Sequence, residues 1–357
     1  MRGVTLALVA ALFAAPSGAS TVGERHLTAV EDSAAARDAH GDNHLRITVW
    51  YPADPGATEK AIAIGPPAAP LFLSGAAAPD APFADSERRP VVLLSHGFGG
   101  TARMMAWFGT ALAREGYLVI AVDHPGNNGA DPMTVAGAAL FWERPRDLAA
   151  ALARVGADAE IAPHLDASRL GVAGFSAGGF TALAASGGRV DIQRLLDFCQ
   201  ANPTDGACQP QQEFSMTFAQ ASAFMAEPRM AGELARSRGD LGVPGVKAAF
   251  AIAPGIIPSF DPASLASLHV PVSIILGDAD RVAPPGTNGE VAARLVPGAQ
   301  LRVLSGVGHY DFLADCTPAG NAAVAVCPTK IPRPTTHKAA IEDALDLFNR
   351  ALAPSAR

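Results

Sequence analysis

From Pro90 onward, short β-branched and apolar runs alternate with helical segments, and few architectures accept such an alternation. Val91-Val92-Leu93-Leu94, Tyr117 to Val122, Arg169 to Phe175, Val246 to Ile252, Val270 to Leu276 and Leu301 to Leu304 read as strands buried in a sheet. Helical segments are predicted around 101–115, 143–156, 176–186 and 336–351. Strands separated by helices pair in parallel through crossovers, so the expected fold is α/β, a mostly parallel sheet with helices on both faces. Two earlier strands, 24–30 and 44–51, precede this region, the second stopping at Pro52. Residues 52–89, rich in Ala, Pro and Gly, predict a long surface excursion without regular structure. Residues 188–244 break the alternation with polar and Met/Phe-containing helical stretches, and predict a small cap inserted at the mouth of the sheet. The expected core is therefore 20–187 and 245–357, with the cap between.

Residues 1–19 are expected to lie outside the fold. Arg2 precedes an apolar stretch from Val4 to Ala15, and Pro16-Ser17-Gly18-Ala19 then suits a signal peptidase. The protein is thus expected to be secreted or periplasmic. In an oxidising compartment the four cysteines predict two local disulfides, Cys199 with Cys208 and Cys316 with Cys327, out of three connectivities. Their spacing matches no standard zinc pattern, and neither a metal nor a cofactor is expected. A formal net charge of −7 without a basic cluster argues against nucleic acid or an anionic membrane as partner. No apolar run approaches the roughly 18 residues of an integral membrane span.

Gly174-Phe175-Ser176-Ala177-Gly178 falls where a predicted strand turns into a predicted helix. A nucleophile at the tip of such a turn takes a strained backbone, and glycines two residues to either side let neighbouring chains approach. Ser176 is therefore the candidate nucleophile. A serine hydroxyl needs a base, and the base needs an acid to fix its tautomer. The order Ser, acid, His is met downstream. His309, in the Gly306-Val307-Gly308-His309 loop, is the candidate base; His269 before a strand and His337 in the closing helix read as structural. Asp280 is the candidate acid, since Asp278 sits closer to the strand end and is expected to bond local amides. Asp311 is expected to order the loop of His309. The oxyanion hole is assigned to the amides of Ala177 and Phe98, the latter in the Ser95-His96-Gly97-Phe98-Gly99-Gly100 loop, which His96 is expected to brace. The partner implied is a small-molecule ester.

A different class of reading starts from the same loop. Gly97-Phe98-Gly99-Gly100-Thr101-Ala102 fits a dinucleotide fingerprint, with Asp123 placed for a ribose, and would make the protein an NAD-binding oxidoreductase. That reading leaves Ser176, Asp280 and His309 unexplained. A hydrolase fold kept as a non-catalytic binding module is a third alternative.

The chain also resembles predicted dienelactone-hydrolase-like proteins related to the platelet-activating-factor acetylhydrolases. The shared features are Val49-Trp50-Tyr51-Pro52, Ser95 to Gly100, Val122-Asp123-His124-Pro125-Gly126-Asn127, Gly174 to Gly179 and Gly308-His309-Tyr310-Asp311-Phe312. The resemblance implies an α/β-hydrolase fold and hydrolysis of a carboxylic ester with a small acyl group, or of a lactone. Two departures stand out. Ser176 occupies a position where dienelactone hydrolases carry cysteine, and Ala253-Pro254-Gly255 has no carboxylate where the acetylhydrolases are expected to have one. Fold and triad do not choose between ester and amide, so a serine peptidase of the same fold stays open. Met104, Met105, Trp107, Phe141 and Trp142 lie near loops expected to border the mouth.

Overall fold

The computed structural model describes residues 20–354, and the expected signal peptide lies outside them. The chain opens with β1 (Val22–Val30) and β2 (His44–Pro52), which pair antiparallel over their full length. β3 (Lys60–Ile64) and β4 (Phe72–Pro79) follow, then β5 (Arg89–Ser95), α1 (Ala106–Arg114) and β6 (Leu118–Asp123). Next come α2 (Val135–Ala139), α3 (Arg144–Gly156), β7 (Leu165–Phe175) and α4 (Ala177–Ala185). Three helices, α5 (Ile192–Ala201), α6 (Phe218–Met225) and α7 (Ala231–Ser237), fill the segment before β8 (Val246–Ile252). The chain closes through α8 (Pro262–Ala266), β9 (Val272–Gly277), α9 (Gly289–Leu295), β10 (Gln300–Leu304), β11 (Asp315–Cys316), α10 (Pro318–Ala323) and α11 (Arg333–Ala351).

The strands form one sheet in the order β10-β9-β8-β7-β5-β6-β2-β1-β4-β11, with β3 added on β4. β6, β5, β7, β8, β9 and β10 are parallel, as the buried apolar runs predicted. α1 and α11 pack on one face; α3, α4 and α9 pack on the other. Each face has its own apolar layer, built on one side around Trp50, Phe108 and Phe250 and on the other around Trp142, Phe180 and Phe260. This is the α/β-hydrolase fold.

Residues 52–89 do not form the irregular excursion expected of them. They supply β3 and β4, and β4 pairs with β1, β3 and β11. Apart from Phe72 at its start, its buried residues, Ser74, Ala77 and Ala78, are too small to give an apolar alternation. Pairing with three neighbours, a tertiary effect, overrides the weak local propensity. β10 differs in another way: it is an edge strand, with Leu301 and Val303 exposed rather than buried.

The topology places the loops that matter together. The chain runs from β5 to β6 on one side and then crosses to β7 on the other, and ligands of open α/β sheets bind outside such a reversal. Ser95 at the end of β5 pairs in register with Gly174 near the end of β7. Leu304 of β10 likewise pairs with Gly277 of β9, so the loops of Asp280 and His309 leave the sheet side by side.

Candidate active site

Ser176 sits between β7 and α4 with φ 56° and ψ −117°, a conformation that costs a non-glycine residue on the order of 1–3 kcal/mol. The turn is held on both sides: the Ser176 amide donates to Ile252 O at 2.8 Å, and its carbonyl accepts from the Gly255 amide at 3.2 Å. A Cβ at Gly174 would stand 2.2 Å from Gly178 O, and one at Gly178 only 1.9 Å from Ser95 O. The two glycines are therefore obligatory for bringing β5, β7 and α4 together at this point. The first turn of α4 directs its amides toward the serine, which favours negative charge there.

His309 Nε2 lies 2.8 Å from Ser176 Oγ, and His309 Nδ1 lies 2.6 Å from Asp280 Oδ2. Asp280 Oδ1 accepts the amides of Val282 and Ala283, both at 2.8 Å, which aims Oδ2 at the ring. A carboxylate facing Nδ1 selects the Nδ1–H tautomer and leaves the Nε2 lone pair toward the serine. All three side chains are buried, Ser176 at 9%, Asp280 at 5% and His309 at 4% exposure. The other candidates are engaged elsewhere. Asp278 accepts from Ser305 Oγ at 3.1 Å and the Gly306 amide at 2.6 Å; Asp311 accepts the Gly308 amide at 2.7 Å. His269 is exposed, and His337 bonds Leu313 O while stacking on Trp107.

Phe98 and Ala177 both border the cleft beside Ser176. The loop of Phe98 is fixed from behind by a polar network that sequence reading left unassigned. Arg144 donates to His96 O at 2.7 Å and to Asn127 Oδ1 at 3.1 Å; Asn127 Oδ1 also accepts the Gly99 amide at 2.9 Å. His96 braces the loop: its Nδ1 lies 2.6 Å from Gly97 O, and its Nε2 accepts the His124 amide at 3.1 Å. Below it, Ser95 Oγ, His124 and Asp147 form a second serine–histidine–aspartate contact series at 2.8 Å and 2.8 Å, closed by a bidentate Arg37–Asp147 pair. Ser95, His124 and Asp147 are all fully buried, and none of them borders the clefts at Ser176. That series holds structure.

Burial, then the nearby Arg144 charge, pushes the His124 imidazole down to about 3. Burial also drives His96 well below its ordinary value and His337 down to about 4. Burial opposes the Asp147 charge, but Arg37 and His124 outweigh it and hold the carboxyl well below the usual range. The three histidines are thus neutral in the fold and protonate in the unfolded chain below about pH 6.5. Stability is complete above that pH and falls as pH drops toward the folded values near 3–4. The expected loss is about 2 kcal/mol for each of His124 and His337 between pH 7 and 5, with His96 adding in the same direction, read as a fall in the denaturant midpoint. An unfolding free energy that is flat over this range would contradict the burial of neutral imidazoles.

Of the residues expected near the mouth, Met104 and Met105 line the cleft on the His309 side and Phe141 the opposite part, whereas Trp107 and Trp142 are core. Glu213, from the segment between α5 and α6, was not legible: no motif surrounds it, yet it faces His309 across the cleft with its carboxylate 3.5 Å from Tyr310 Oη. Disulfides join Cys199 to Cys208 and Cys316 to Cys327. The Asp123 carboxylate that a ribose would need is occupied by the Ala102 amide at 2.7 Å and by Arg46. Among the described residues no group of three His, Cys, Asp or Glu side chains is placed to hold a metal. Nor is any helix among them long and apolar enough to cross a membrane.

A mostly parallel sheet covered on both faces, with a strained serine at a strand-to-helix turn, defines the α/β hydrolases as a class. The chain belongs to the Alpha/beta hydrolase family, whose model matches residues 91–325. No curated protein matches the sequence. Among solved structures the fold is similar to a ferulic acid esterase from Streptomyces cinnamoneus, with a TM-score of 0.60 and 22% identity over 95% of this chain and 92% of that one.

Proposed function

We propose that the protein is a secreted serine esterase that hydrolyses carboxylic esters through an acyl-enzyme, with Ser176 as nucleophile, His309 as base and Asp280 as acid. The observation that carries this reading is the unbroken contact series Ser176 Oγ–His309 Nε2 at 2.8 Å and His309 Nδ1–Asp280 Oδ2 at 2.6 Å. Ser176 Oγ attacks the ester carbonyl carbon as its proton passes to His309 Nε2. The amides of Phe98 and Ala177 hold the oxyanion, and Asp280 stabilises the imidazolium. His309 then gives its proton to the leaving oxygen, the ester C–O bond breaks, and the alcohol departs. A water deprotonated by His309 attacks the acyl-enzyme and releases the acid, restoring Ser176.

The ester preference draws support from the esterase among its structural neighbours and from the resemblance to dienelactone-hydrolase-like proteins. Two disulfides and the leader-like start of the sequence support secretion. Residues 188–244 serve in this reading as a cap, stapled by Cys199–Cys208, that roofs the nucleophile. The test compares p-nitrophenyl butyrate with a peptide p-nitroanilide on the same preparation. Turnover of the ester at least a hundredfold above the anilide is expected; the reverse ranking would make the protein a peptidase.

A further inference from the structure

The cleft divides at Ser176 into two arms of different chemistry. One, about 1010 Å³ including space open to solvent, runs from Ala177 under α5 and α6, walled by Phe141, Leu195, Leu196, Phe218 and Met225. The other, about 740 Å³ on the same measure, contains His309, with Met104, Met105, Glu213, Tyr310 and Leu313. Phe98, Ser176, Gln211 and Val282 border both. The first arm is lined by no Asp, Glu, Lys, Arg or His, and among the described residues neither arm is lined by a lysine or an arginine. Two buried arginines lie behind the arms without lining them: Arg144 is committed to the His96 carbonyl and Asn127, and Arg333 to the carbonyls of Tyr310, Ala314 and Val326.

Stereochemistry assigns the arms. Once Ser176 has attacked, the leaving oxygen must come within reach of His309, so the alcohol occupies the arm that contains that histidine. The acyl chain takes the opposite direction, past Ala177 and beneath the cap. We infer that the substrate is an ester of an uncharged, apolar acid with a chain longer than acetyl, seated in the Ala177 arm, and of an uncharged alcohol seated in the His309 arm. This rests on the esterase reading above. Apolar walls reward each methylene they take from water. A carboxylate or phosphate in either arm would lose its hydration with no cation to replace it, which excludes acidic lactones and anionic headgroups as good substrates.

The experiment measures kcat/KM of the full chain for p-nitrophenyl acetate, butyrate, hexanoate and hemisuccinate, beside fluorophosphonate labelling of Ser176. Full burial gives about fourfold per methylene. We expect hexanoate to exceed acetate at least tenfold, and hemisuccinate to fall at least tenfold below butyrate. Leu196→Trp, which fills the acyl arm from α5, should lower the hexanoate-to-acetate ratio tenfold or more. Acetate equal to hexanoate, hemisuccinate equal to butyrate, or an unchanged ratio in the folded variant overturns the inference. Labelled Ser176 would in that case leave the esterase reading standing, whereas an unlabelled Ser176 removes both.

Discussion

Replacing Ser176 by alanine is expected to cut ester turnover about 10⁵- to 10⁶-fold, the scale on which serine hydrolases lose activity without their nucleophile. The residual rate would come from the oxyanion amides and from binding alone. The fold should survive, because the hydroxyl's hydrogen bond goes to His309 outside the turn, while the backbone bonds to Ile252 and Gly255 remain. Alanine inherits the strained φ of 56°, so the thermal midpoint should move by only a few degrees. Glycine at the same position should abolish turnover equally while gaining about 1 kcal/mol of stability, since the strain is relieved at some cost in chain entropy. The check is a p-nitrophenyl butyrate assay beside a thermal melt. More than one hundredth of the activity left in the alanine variant would place the nucleophile elsewhere.

Asp280→Asn is the second large effect, about 10⁴-fold in kcat. The amide oxygen can still accept the Val282 and Ala283 amides, which leaves the NH₂ group facing His309 Nδ1. A donor there selects the opposite tautomer, with the proton on Nε2, and that nitrogen can no longer accept from Ser176. The ring stays in place but faces the serine in the wrong state. Asp278→Asn should change kcat less than about threefold, because Asp278 only ties Ser305 and Gly306 into the turn after β10. Comparing the two variants separates a tautomer-fixing carboxylate from a turn-bracing one. A larger loss at 278 than at 280 would reverse the assignment.

What was legible in the sequence follows physical lines. β5 to β9 declared themselves because strands covered on both faces must be apolar throughout, and the glycines around Ser176 because no side chain fits there. Chain order narrowed the acid and the base, and position past the strand end and the Gly-flanked loop then singled out Asp280 and His309, whose side chains lie 2.6 Å apart. β4 stayed hidden: beyond Phe72 its buried residues are Ser74, Ala77 and Ala78, which carry almost no hydrophobic signal, and their place depends on three partner strands. The bracing network was hidden for another reason. Arg37 and Asp147 are 110 residues apart, and only the finished fold makes their pairing visible. Glu213 belongs to a segment with neither periodicity nor motif, so nothing local marks its approach to His309.

Two serine–histidine–aspartate series stand among the described residues, and only one can be the nucleophile's. Treatment with diisopropyl fluorophosphate, followed by peptide mass spectrometry, distinguishes them. A single adduct on Ser176, formed at least a thousandfold more slowly in His309→Ala, is the result expected. An adduct on Ser95 or any other residue, or an unchanged rate without the His309 imidazole, would contradict the catalytic assignment.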